Sequence, residues 1–187
     1  MADLTILGIA GALRAASTNR LLLAEAQRAF GPANHMTADL HMPLYDEDIE
    51  TGPGIPPEVQ HLAEQIAGAD AIIISTPEYN KAPPGLLKNA LDWVSRTKLR
   101  PFRDQPVAIV SAGEGRGGGD RSQFALRLML TPFRPRLLTG PEVMVAQSRS
   151  AFDQDGRLKE ESYRKGLAEL MAQLRTEAER SRAARAG

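Results

Sequence analysis

Three short segments of this 187-residue chain combine polar side chains with turn-forming residues in a way that could serve chemistry. The first, Gly11-Ala12-Leu13-Arg14-Ala15-Ala16-Ser17-Thr18-Asn19, supplies a tight turn, one cation, two hydroxyls and an amide just before a helical pattern. Free N–H groups and the positive end of a helix attract an anion, and a guanidinium adds charge-assisted bonds, so the segment can cradle a phosphate through Arg14, Ser17 and Asn19. The same residues also suit a plain helix cap beside a surface charge. The second segment runs from Thr76 to Gly85 and carries Pro77, Glu78, Tyr79 and Asn80. Such a rigid loop can aim successive N–H groups at the polar edge of a flat heterocycle while Tyr79 covers one side; the alternative is a tight turn whose Tyr packs on the next helix. The third, Ser111-Ala112-Gly113 followed by a glycine-rich run to Arg121, permits close backbone approach to a ligand, although the composition alone equally describes a loose surface loop.

Much other chemistry is excluded or unsupported. There is no cysteine, hence no disulfide and no thiolate nucleophile or metal ligand, and redox activity would need a borrowed cofactor. His35, His41 and His61 lack metal-ligand spacing, no nucleophile elbow is present, and the acidic cluster Asp46-Glu47-Asp48-Glu50 reads as a solvated loop. No metal site and no catalytic side chain are therefore assigned. The 23 basic and 23 acidic residues balance, leaving no electrostatic footprint for nucleic acid or an anionic membrane. With no apolar run of membrane-spanning length and no leader pattern, the expectation is a soluble, cytoplasmic protein.

These segments must be held by the elements around them. Apolar runs at Leu4–Ala10, Ala71–Ser75, Val107–Ser111 and Val143–Ala146 lack clean alternation, as strands buried on both faces do. A weaker strand near Met36–Leu40 completes the alternation with helical stripes such as Leu22, Ala26, Ala29 and Phe30, or Leu87, Ala90, Leu91 and Val94. The prediction is an α/β fold, a doubly wound five-stranded parallel sheet with helices on both faces, in one domain over 1–175. The Ala- and Arg-rich segment 176–187 is expected to be a frayed or disordered tail. In such sheets ligands bind at the carboxyl ends of the strands where strand order reverses, which is where all three segments fall.

Taken together, the segments resemble the NADPH-dependent FMN reductase family, which includes quinone, chromate and azo-dye reductases. Gly11-Ala12-Leu13-Arg14 with Ser17 and Asn19 resembles the family's phosphate loop. Thr76–Asn80 followed by Pro84-Gly85-Leu86-Leu87-Lys88-Asn89-Ala90-Leu91-Asp92-Trp93 resembles its most diagnostic stretch. The resemblance implies a flavodoxin-like fold with Arg14, Ser17 and Asn19 on the FMN phosphate. Pro77, Glu78, Tyr79 and Asn80 would border the ring, and Ser111, Ala112 and Gly113 would approach its far edge. It further implies hydride transfer from NADPH or NADH through FMN to a flavin, quinone or similar small acceptor, in a homodimer or homotetramer. Ala12 departs from the family's usual Ser and removes one phosphate donor. Two rival readings share the fold: a non-enzymatic flavodoxin-like electron carrier, and an interaction protein that has lost the cofactor.

Overall fold

The computed structural model describes residues 4–186. In chain order the elements are β1 (Thr5–Ala10), α1 (Thr18–Phe30), β2 (Asn34–Thr37), α2 (Glu47–Thr51), α3 (Pro57–Gly68), β3 (Ala71–Thr76) and α4 (Gly85–Ser95). They continue as β4 (Pro106–Ala112), α5 (Asp120–Leu130), a 3-10 turn at Thr131–Phe133, β5 (Arg136–Leu137), β6 (Val143–Val145) and α6 (Glu161–Ala186). All strand pairs are parallel in the order β2-β1-β3-β4-β5, with β6 also on β4. The chain runs outward from β1 to β2 and then returns to β3 on the other side of β1, so the strand order reverses between β1 and β3.

Alternation along the strands sorts the core into two layers. Ile6, Ile73, Ala108 and Val110 face α1 and α6, whereas Leu7, Ile9, Ile72, Ile74, Val107 and Ile109 face α3, α4 and α5. Burying one such Leu or Ile contributes about 1.5–3 kcal/mol, so the sandwiched strands β1, β3 and β4 form a rigid frame for the loops at their ends. Gly8 lets α1 lie close on β1: a Cβ there would stand 2.9 Å from a methyl of Leu23.

The sheet is the expected flavodoxin-like, doubly wound one, with four differences of detail. The fifth strand is interrupted, because Pro141 offers no N–H to a ladder, and it pairs with β4 as two pieces. The second strand lies at Asn34–Thr37 rather than Met36–Leu40; it is a largely exposed edge whose position is set by pairing with Thr5–Gly8 and not by its own hydrophobicity. The acidic cluster is not a plain loop, since Asp46 accepts from the N–H of Asp48 at 2.9 Å and caps the short helix α2. The segment expected to fray from 176 is helical through Ala186. Ala178 is buried in the core, Arg185 bonds Asp70 at 2.7 Å, and Arg182 lies 3.9 Å from the same carboxylate. Gly187 lies outside the described residues.

Candidate active site

The loops after β1, β3 and β4 meet at the carboxyl edge of the sheet, at the reversal of strand order. In the first, Ser17 takes an extended backbone conformation and its Oγ accepts from the N–H of Asn19 at 3.2 Å, so Ser17 is the cap of α1. The N–H groups of Leu13, Arg14, Ala15 and Ala16 make no hydrogen bond among the described residues. Arg14 is exposed, and its guanidinium has no partner among them. Four unspent donors and an unpaired cation thus lie in the few residues leading into a helix N-terminus, the groups that an anion requires.

Asn19 behaves differently from the sequence expectation. Its side chain is buried beneath the loop: Nδ2 donates to the carbonyl of Ala112 at 2.8 Å, and Oδ1 accepts from Ser75 Oγ and from the N–H of Ala112, both at 3.0 Å. One amide thus ties the start of α1 to the ends of β3 and β4. It holds the loop after β1 from below, with its oxygen and one amide N–H already engaged.

In the second loop, Tyr79 and Ala82 exchange both backbone hydrogen bonds, at 3.0 and 3.1 Å. Between them Asn80 and Lys81 have φ of 51° and 67°, the two-residue turn that needs positive φ at both centres. The N–H groups of Asn80 and Lys81 make no hydrogen bond among the described residues, and Tyr79 is 58% exposed. Pro77 is buried, its carbonyl accepting from Ser122 Oγ at 2.8 Å. Glu78 turns towards α5, whose own cap residue, Gly119, has no side chain to offer. Its carboxylate accepts from the N–H of Ser122 and pairs with Arg121, each at 3.4 Å. It supplies from another loop the negative charge that a helix N-terminus favours.

The third loop is folded, not loose. Ser111 is fully buried, donating from Oγ to the carbonyl of Gly118 at 2.7 Å and accepting from Gln123 Nε2 at 2.9 Å. Gly118 has φ of 57°, and a Cβ there would collide with the carbonyl of Met144. Ala112 is spent on Asn19, so of the three residues expected at the ring's far edge only Gly113 reaches the surface. Ser75, Ser122 and Gln123 complete this polar layer, and Thr76 Oγ1 and Ser122 Oγ lie 2.8 Å apart. The sequence offered one signal for them: polar residues at positions where a strand end or an apolar helix stripe would otherwise continue.

The diagnostic stretch on α4 is likewise structural. Trp93, read from the sequence as core or interface, is buried and donates from Nε1 to the carbonyl of Pro43 at 2.8 Å; Asn89 holds Pro43 and Tyr45. Tyr45 donates to Glu50 at 2.8 Å, and Arg96 pairs with the same carboxylate. The Arg96 guanidinium, then the Tyr45 hydroxyl, hold the Glu50 carboxyl below its ordinary value, while the bond to Glu50 raises the Tyr45 hydroxyl. No cluster of potential metal ligands occurs among the described residues.

Residues 4–150 match the model of the family described as NADPH-dependent FMN reductase. The NAD(P)H-dependent FMN reductase of Pseudomonas aeruginosa is 41% identical over 174 residues, covering 92% of this chain and 94% of that protein. A quinone reductase of Escherichia coli is 38% identical over 144 residues, 75% of this chain and 77% of its own. Among solved structures, the flavoenzyme NAD(P)H:(acceptor) oxidoreductase FerB from Paracoccus denitrificans superposes with a TM-score of 0.84 at 26% identity, covering 95% of this chain and 98% of that one.

Proposed function

The chain belongs to the NADPH-dependent FMN reductase family, and on that premise we propose that the three loops at the carboxyl edge of its sheet are where FMN is held. Membership makes the protein an NAD(P)H-dependent, FMN-linked oxidoreductase acting on flavins, quinones or similar acceptors. The observation that carries the placement is the run of unspent N–H groups from Leu13 to Ala16 beside the unpaired Arg14 at the start of α1. That set of donors fits a terminal phosphate and compensates for the hydroxyl that Ala12 lacks.

When bound, FMN supplies the hydride-transfer chemistry, which protein side chains do not provide. Arg14, the loop N–H groups and the Ser17 hydroxyl bind the phosphate, and Asn19 keeps them in place from beneath. Pro77, Glu78, Tyr79 and Asn80 border the ring, with the N–H groups of Asn80 and Lys81 as donors to its polar edge. The backbone of Gly113 approaches the far edge, over the support of Ser111 and Ala112; its missing side chain lets the Gly118–Gly119 backbone pack close, since a Cβ there would stand 3.2 Å from the N of Gly119. No side-chain acid or base is needed; the residues bind, orient and rigidify.

The reading extends to a homodimer or homotetramer in the cytoplasm. The association is supported by large apolar side chains left exposed near these loops and along α5: Leu13, Tyr79, Phe124 and Leu128. The helix α4 buries its own stripe in the core, leaving Lys88 and Ser95 outward, so the apolar contact surface lies nearer the loops. No helix among the described residues is long and apolar enough to cross a membrane.

The test is the visible spectrum and cofactor content of the purified protein, followed by NADPH and NADH oxidation with a quinone as acceptor. FMN bound in preference to FAD, with coenzyme consumption that depends on the acceptor, is the expected result. Equal uptake of FAD would overturn the phosphate-loop placement. An FMN-loaded protein that oxidises neither coenzyme would behave as an electron carrier.

A further inference from the structure

A cavity of about 650 Å³ lies away from the three loops. Helices run antiparallel to the strands they cover, so the last turns of α4 and α5 lie at the opposite, amino edge of the sheet. There the cavity opens, between those turns and the segments leading into β4 and β5. Its volume falls in the range of about 300–1,000 Å³ usual for small-molecule sites.

Its floor is apolar, with Leu91, Met129 and Phe133 exposed to it, and its rim is cationic, with Arg100, Arg103 and Arg134. Lys88 on the same wall is already paired with Asp92. Arg103 stands 3.7 Å from the exposed Asp104, a weak pair, while the guanidinium groups of Arg100 and Arg134 have no partner among the described residues. Two unspent planar forks beside an apolar floor are what a carboxylate or sulfonate on an aromatic body requires.

We propose that this cavity binds a small aromatic or apolar organic anion, at a site separate from the flavin loops. The charges argue against a second copy of the chain as its occupant. Four cations line the cavity against Asp92, and Asp104 beside it faces Arg103, so a local net charge of +2 remains. A twofold contact centred here would set that charge against itself. A bound anion reduces it instead. None of the three loops lines the cavity, so its ligand is not the molecule that receives hydride.

The experiment uses FMN-saturated protein and anilinonaphthalene sulfonate as the probe, followed by fluorescence and by light scattering. One saturable site is expected, weakened by added salt. Arg100→Gln with Arg134→Gln should lower its affinity by about tenfold or more, the loss of at least one charge-assisted bond. Phe133→Ala should also weaken it, by removing part of the floor. Flavin content and NADPH oxidation should stay at parental levels, which also establishes that the arginine variant folds. Three results overturn the proposal: no saturable binding, equal affinity in the double arginine variant, or a change of molecular mass in that variant with probe binding intact. The last would make the face a contact between copies.

Discussion

Replacing Asn19 by Ala separates a clamp from a ligand. The substitution removes three hydrogen bonds and strands the Ser75 hydroxyl with the N–H and C=O of Ala112, all in buried surroundings. Each stranded group costs about 1–3 kcal/mol, with water entering the vacated space to relieve part of it, so a loss of about 3–4 kcal/mol is expected. For a domain of this size that lowers the melting temperature by about 6–16 °C. Thermal unfolding of the FMN-free protein reads this directly, because no ligand contributes. Asn19→Asp sharpens the test. The carboxylate keeps both acceptor roles but sets an oxygen against the carbonyl of Ala112, and burial disfavours its charge, so its folded-state pKa rises. A group with a raised folded pKa favours the fold below its unfolded value and loses that contribution as pH rises through the folded one. The variant should therefore be weakened more at about pH 8 than at about pH 5. If FMN-free Asn19→Ala melts within about 2 °C of the parent while FMN affinity collapses, Asn19 is a phosphate ligand and the clamp argument is wrong.

Two further predictions concern separate parts of the molecule. Arg14→Ala should weaken FMN binding by about one to two decades, the loss of one charge-assisted bond worth about 1.5–3 kcal/mol, and leave riboflavin affinity unchanged because riboflavin lacks the phosphate. Equal weakening for both ligands in paired titrations would show a general structural defect instead. Glu50, held below its ordinary 4.5 by Arg96 and Tyr45, favours the fold above that value and loses the effect as acid titrates it through its lower folded-state pKa. Denaturation curves of the parent and Glu50→Gln should diverge near neutral pH and converge in acid; a gap that stays constant across pH would refute the pairing as its cause.

Local composition determined which segments are strands, because β1, β3 and β4 are buried on both faces and must be apolar throughout, and it determined which three loops carry the polar residues. It left the edge strand two to three residues out of place and the tail frayed. Asn34–Thr37 faces solvent and takes its register from β1, and residues 176–186 hold their place through Ala178 in the core and arginines on a carboxylate more than a hundred residues earlier, at Asp70. The roles within the site were divided in the same way. Arg14 could be read as a phosphate partner because an exposed cation before a helix depends on its neighbours alone. The burial of Asn19 and Ser111 could not be read in the same way, since the direction of a polar side chain is decided by partners distant in sequence: 56 residues for Ser75 and 93 for Ala112 in the case of Asn19. Glu78 likewise became the anion at the start of α5 only when parallel pairing of β3 with β4 brought their loops side by side. Periodicity records which face of an element is buried; which polar groups satisfy one another beneath a site follows only from the packing of elements against each other.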